Sequence, residues 1–336
     1  MGDPWTALSP RVVMVAHYAE DDGIGRYAEQ LAAAHAEGRT FLRVGIPEGP
    51  GDYHRDLHRG PRALWLLRDA GRRDDVLVHW HPHYYLRGSA ASRTISHASW
   101  GLLALLRRVT AVAHEPDPPG RGLEEATRRW AWRRAGRLVF HSEWERERHV
   151  ARYGRGRRQE LLVVDHGDFF TTSVAATRDE ARDDLGLERG RTILLMIGFL
   201  SAVDPDKGYD RAIAAVRAIG DPRLELHIVG TPIREGPEVD ALVAALRVES
   251  REPGVVLHET FVDDDAFDLW IRAANAVLTP YRTASSSGVV ARAHLLGTRV
   301  ITSDAGGLAA QAGADDIVVA DDEALAEAIR RTLAEG

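Results

Sequence analysis

Leu278-Thr-Pro-Tyr-Arg-Thr-Ala-Ser-Ser-Ser-Gly288-Val-Val-Ala-Arg-Ala-His-Leu-Leu-Gly297-Thr-Arg-Val-Ile-Thr-Ser-Asp-Ala-Gly-Gly307 reads as strand, polar turn, helix, strand and glycine turn. The strands, Ala276–Leu278 and Arg299–Thr302, are apolar throughout rather than alternating. Such strands are covered on both faces, which points to a parallel sheet built from strand–helix–strand units. Ser285, Ser286, Ser287 and Gly288 fall where the helix begins, with Val289 in its first turn. Free amides and the positive end of the helix dipole make that turn an anion site. Arg282 adds a fork suited to a phosphate. A plain serine N-cap is the alternative that needs no ligand.

The same rhythm runs outward through the chain. In the second half, strands are expected at Thr192–Ile197, Leu224–Val229, Val255–His258 and Ile317–Val319, with helices opening near Gly208, Glu235, Asp264 and Glu323. In the first half they are expected at Val12–Ala16, Thr40–Gly45, Val76–Trp80, Thr110–Ala113, Leu138–His141 and Leu161–Val164. Helices between them are expected at Gly25–Ala36, Pro61–Ala70, Ala90–Arg107, Leu123–Ala135 and Ser142–Tyr153. Two series separated by the polar stretch Phe169–Glu180 predict two doubly wound Rossmann-like domains, 1–170 and 171–336, with ligands at the strand carboxyl ends. Ser142-Glu-Trp-Glu145 is a capping box, and Asp263 to Asp265 cap and charge a helix start.

Composition narrows the function. With 336 residues, a net charge of -7 and no cysteine, the chain is an acidic globular protein without disulfides or thiolate chemistry. That balance argues against nucleic acid as a partner. No leader pattern or membrane-length apolar run is visible, so a cytoplasmic location is the default expectation. Lys207 is the only lysine among 43 basic side chains. A lone ammonium suggests a site where the arginine fork does not fit, and Asp204-Pro-Asp-Lys-Gly208 is a surface turn just beyond an apolar strand. Eleven arginines against three glutamates between Arg128 and Arg158, interleaved with tryptophans, read either as a solvated basic helix face or as a peripheral contact with anionic lipid at the inner membrane face.

Taken in order, Asp22-Gly23-Ile-Gly25, Val78-His-Trp-His81, Val112-Ala-His114-Glu115, Phe140-His-Ser-Glu143, Asp165-His-Gly167, Gly198, Lys207-Gly208, Val229-Gly230 and the 280–307 segment resemble the retaining, family-4 (group 1) glycosyltransferases of the GT-B fold. The resemblance implies two Rossmann-like domains facing each other across a cleft. It implies transfer of a sugar from a nucleoside-diphosphate sugar to an acceptor hydroxyl on a glycan, lipid-linked or small-molecule partner. Cofactors and metals are not required. Lys207 then contacts the donor diphosphate, His114 approaches the reacting sugar, and Gly23 and Gly25 close on the diphosphate. Gly198, Gly230, Arg282, Ser286, Ser287, Gly288 and Val289 line the donor, with His81, His83 and Tyr84 on the acceptor side. Phe199 stands where the family usually has arginine. Ala284 and Arg292 stand where it has glutamates that contact the donor sugar and ribose. A non-catalytic relative that only binds a nucleotide sugar or a partner subunit is the alternative. A further one is a metal-dependent hydrolase using His79, His81 and His83 at period two along one strand.

Overall fold

A computed structural model of the chain describes residues 4–18, 23–46, 51–114, 116–201, 206–232 and 236–335. It divides into two units between Phe169 and Phe170. In the first, β1 (Arg11–Ala16), β2 (Thr40–Gly45), β3 (Tyr53–His54), β4 (Asp75–Trp80), β5 (Arg108–Ala113), β6 (Arg137–Phe140) and β7 (Glu160–Val163) form one sheet in the order β3-β2-β1-β4-β5-β6-β7. Its helices are α1 (Gly23–Ala34), α2 (Pro82–Tyr85), α3 (Ala90–Leu106), α4 (Gly122–Trp132) and α5 (Glu143–Tyr153). In the second, β8 (Thr192–Ile197), β9 (Leu224–Gly230), β10 (Val255–Glu259), β11 (Ala276–Thr279), β12 (Arg299–Ser303) and β13 (Ile317–Val319) follow the order β10-β9-β8-β11-β12-β13. They are covered by α6 (Arg178–Asp184), α7 (Tyr209–Ile219), α8 (Pro237–Glu249), α9 (Asp264–Ala273), α10 (Gly288–Leu295), α11 (Leu308–Gln311) and α12 (Asp322–Glu335).

Every strand pairing in both sheets is parallel. The strand order reverses between β1 and β4 in the first unit and between β8 and β11 in the second. Each unit is thus doubly wound, with its ligand crevice expected at that reversal. The central strands β4, β8 and β11 are buried at every position, as strands covered on both faces are.

Several expectations need correction. The first sheet has a seventh strand, β3, whose two residues at the sheet edge carry no readable period. The helix expected at Pro61–Ala70 is a 3-10 segment, Gly60–Leu67, interrupted at Pro61, where ψ is 18°. Helix α6 falls partly inside the stretch read as linker, opened by a capping box between Thr177 and Glu180. Pro237 begins the helix expected near Glu235, which lies outside the described residues, as do Asp22, Glu115, Asp204 and Pro205.

The arginine-rich segment is not one solvated face. Arg128 is completely buried and donates to His97 Nε2 (3.0 Å), Glu124 Oε1 (2.9 Å) and the Pro118 carbonyl. It lies 3.9 Å from Asp117, which accepts hydrogen bonds from Trp80 (2.9 Å), Trp132 (2.6 Å) and Tyr153 (3.1 Å). Asp117 therefore ties β4, α4 and α5 together, and Arg128 balances its charge. Replacing Arg128 by Met should lower the urea-unfolding free energy by about 3 kcal/mol, because Asp117 keeps its burial and loses its cation. Arg157→Met, at an exposed position, should stay within about 0.5 kcal/mol. Equal effects would show that Arg128 is no more than a packed stem.

Candidate active site

In the first unit the strand carboxyl ends carry histidine. His79 is on β4, His114 follows β5, His141 follows β6 and His166 lies beyond β7. Parallel pairing sets these positions side by side. Their rings surround Tyr27 of α1, with centroids 5.6, 5.0, 5.2 and 5.3 Å from the phenol ring, and Phe169 closes the cluster at 4.7 Å. Helix α1 approaches β1 this closely because residue 25 is glycine. A Cβ there would sit 2.6 Å from the His17 carbonyl oxygen. Gly23 meets no such neighbour.

His79 Nδ1 and His114 Nε2 are 3.1 Å apart and share one proton. The other nitrogen of His79 is buried with no partner among the described residues. A bare acceptor is easier to bury than a bare donor with its proton, so we assign the shared proton to His79 Nδ1. His114 then accepts at Nε2 and carries its own proton on Nδ1. Burial depresses His79 to about 3 and His141 to about 4, and His114 is pushed well down by burial and then by His79 and the other imidazoles. His114 keeps part of its surface open. It is therefore a neutral imidazole with an oriented N–H, suited to donating a hydrogen bond rather than to carrying charge.

Beside this array, Tyr84 lies between His17 (4.6 Å, stacked) and His81 (4.7 Å). His81 precedes Pro82, the first residue of α2, and its Nδ1 accepts from the His83 backbone N–H at 3.3 Å. This overturns the His-x-His metal strand. β4 ends at Trp80, so His79 points into the array while His81 and His83 belong to a helix start. Among the described residues no group of three or more His, Cys, Asp or Glu side chains is arranged to hold a metal ion.

In the second unit the reversal between β8 and β11 is built from backbone approaching backbone. A Cβ on Gly230 would fall 2.0 Å from the Gly198 carbonyl oxygen. Gly208, at φ 66°, would place one 2.3 Å from the Pro280 carbonyl oxygen. The second contact pins the Lys207–Gly208 loop onto the end of β11. Lys207 is not a surface-turn residue. It is 8% exposed, its Nζ donates to the Phe199 carbonyl oxygen at 2.6 Å, and a Cβ on Gly198 would come within 3.3 Å of it. Among the described residues no carboxylate pairs with it, and burial lowers it to about 8.

Helix α10 begins next to this edge. Ser287 is at its N-cap position, yet its side chain makes no capping bond, so the plain serine-cap reading does not hold. Gln311 of α11 instead accepts from the Ser287 N–H at 2.7 Å. Gln311 was missed in the sequence because its own helix has only four residues and no readable period. Ser286, Gly288 and Val289 keep part of their surface open. Arg282 is at the same edge but is already engaged, bidentate to Asp210 at 2.8 and 2.5 Å and near Asp206 at 3.4 Å. Arg292 is buried, forms a two-point pair with Asp268, and donates to the Thr171 carbonyl oxygen at 2.9 Å. Ala284 packs against the core.

Residues 191–335 match the family model described as glycosyl transferases group 1. Two relatives named D-inositol 3-phosphate glycosyltransferase, from Frankia alni and Streptomyces bingchenggensis, are 27% and 29% identical over 75% and 84% of the chain. The matches cover 66% and 68% of those relatives, and about half of several others. Anabaena HepE in complex with UDP and glucose superposes with a TM-score of 0.72 at 14% identity, covering 97% of this chain and 90% of that one. Sucrose-phosphate synthase from Thermosynechococcus elongatus gives 0.71 at 16% identity with the same coverage, and the fold is that of the GT-B enzymes.

Two outcomes follow from this geometry. His79 and His141 are neutral when folded, with values below that of an unfolded histidine. Between about pH 6.5 and 4 the unfolded chain therefore binds protons the folded one refuses, and stability falls as pH falls. Each contributes about 1.4 kcal/mol per pH unit in that window. A His79→Phe/His141→Phe variant should flatten the acid limb of the urea-unfolding profile, and an unchanged limb would refute the assignment. Gly208→Ala should cost about 1 to 3 kcal/mol through positive φ and the Pro280 clash. Gly190→Ala, which meets nothing within 4 Å, should be near neutral in the same titration.

Proposed function

Because residues 191–335 match the group 1 glycosyltransferase model, we propose that this protein transfers a sugar from a nucleoside diphosphate sugar to an acceptor hydroxyl. In this reading the anomeric configuration is retained and no metal ion is used. The observation that carries it is Lys207, a buried ammonium with one carbonyl partner and no carboxylate among the described residues, beside a helix start that its own serine does not cap. A buried cation without a counter-charge is costly unless an anion arrives to balance it. A diphosphate supplies that anion, and its doubly charged end suits the helix amides.

The chemistry then needs charge stabilisation at the leaving group. The bond between the anomeric carbon and the β-phosphate oxygen breaks while the acceptor oxygen bonds to that carbon on the same face. The acceptor proton passes to the departing phosphate oxygen, so no carboxylate nucleophile is required. Lys207 and the first amides of α10 hold the developing charge. Arg282 contributes less, because Asp210 already neutralises it. On the first unit, His114 offers its N–H to a hydroxyl, and the His81, His83 and Tyr84 group forms the acceptor side. HepE bound to UDP and UDP-glucose supports a uridine donor as the first to assay. The relatives' names make inositol 3-phosphate the first acceptor.

The test is release of UDP from UDP-glucose in excess chelator, with and without inositol 3-phosphate and other sugar phosphates, followed by assignment of the product anomer by NMR. Acceptor-dependent release with a retained anomer is the expected result. Binding without turnover across a donor and acceptor panel would make the protein a binding module instead. Lys207→Met should lower UDP affinity by at least tenfold, as expected for one charge-assisted contact. Its melting temperature should stay level or rise, because a buried uncompensated charge is removed. Unchanged UDP affinity would take Lys207 out of the site.

A further inference from the structure

Helix α3 lies on the outside of the first unit yet turns aliphatic side chains to solvent. Ile95, Leu102, Leu105 and Leu106 are 50, 43, 57 and 55% exposed, and their spacing puts them on one face. The only charged residue in the helix, Arg93, is bound to Glu124 at 2.8 and 2.9 Å. A contiguous apolar face of this kind on a soluble unit marks a contact surface.

Arginines border the face on both long sides. On one side Trp130 of α4 fits against Gly101 of α3, where a Cβ would fall 2.0 Å from its ring, and Arg134 stacks over Trp130 at 5.7 Å. Arg129 of α4 and Arg133 at its C-terminal cap are exposed. On the other side Arg107 donates to the carbonyl oxygens of Leu67 (3.2 Å) and Ala70 (2.7 Å), drawing the loop with exposed Arg68, Arg72 and Arg73 against the end of α3. None of these six exposed arginines forms an ion pair among the described residues. The nearby carboxylates are occupied: Asp69 by Arg55, Asp74 by Arg11 and Glu124 by Arg93.

We propose that this face docks on an anionic phospholipid bilayer. Helix α3 lies parallel to the surface, with its leucines in the acyl boundary and the flanking arginines at the phosphates. The charge pattern selects this occupant over a second copy. An isologous contact centred on α3 would bring two arginine-edged faces together. A bilayer meets the apolar centre with hydrocarbon and both edges with phosphate. The surface differs from the arginine-rich segment as a whole, since Arg128 is core and Arg152 is held by Glu125 at 3.0 Å.

The test is co-sedimentation of the full chain with vesicles of phosphatidylcholine alone or mixed with phosphatidylglycerol. Binding to the mixed vesicles only, weakening with salt, is expected. Leu102→Ser/Leu105→Ser and Arg129→Gln/Arg133→Gln/Arg134→Gln should each abolish it while thermal melts stay unchanged. The arginine set should lose about five-fold per side chain, on the order of a hundredfold together. Arg178→Gln/Arg251→Gln, at exposed positions in the second unit, should bind as the parent does. Failure of the parent to bind mixed vesicles would overturn the proposal, as would retained binding in the leucine variant. Concentration-dependent dimers of the parent that the leucine variant dissolves would also overturn it, in favour of a protein interface.

Discussion

Parallel pairing is the constraint from which the rest of the molecule follows. When every strand runs the same way, all the carboxyl ends of a sheet gather on one edge, whatever residues they carry. In the first unit those ends carry four histidines, and α1 seals them with Tyr27. In the second they carry Gly198 and Gly230, which meet backbone to backbone, and Pro280, which Gly208 approaches, because the glycines have no side chain. One topology thus yields two different chemical surfaces. One is a neutral layer of imidazole and phenol, and the other is an edge of amides with a single ammonium.

The economy of positive charge explains how these surfaces stay distinct. Arginine does the structural work throughout. Arg128, Arg182 and Arg292 are all buried and all donate to backbone carbonyl oxygens. A planar fork with five donors suits that task. Lys207 has a different environment. Its point charge faces one carbonyl oxygen in a space bounded by Gly198, where a guanidinium would be too broad. Arg292, which stands where the resemblance leads one to expect a glutamate, is part of the core through Asp268, and Arg282 is neutralised by Asp210.

The apolar runs, their lengths and the glycine and serine punctuation were enough to expect two parallel α/β units, because strand burial on both faces and helix period are properties of local sequence. Thr192–Ile197 and Ile317–Val319 are strands with those very limits, and α9 and α10 begin at Asp264 and Gly288 as expected. The lone lysine was likewise visible in the chain, since composition alone marks it.

What tertiary structure decided is the neighbourhood of each side chain. Burial of Lys207 depends on Gly208 meeting Pro280, more than seventy residues away. The engagement of Arg282 depends on Asp210 in α7, and the neutrality of His79 and His114 depends on strand register. Gln311 reaches Ser287 only because α11 folds back beside α10. Period and composition report which face of an element is buried. They do not report which distant residue it meets there, and that partner sets charge, proton position and access.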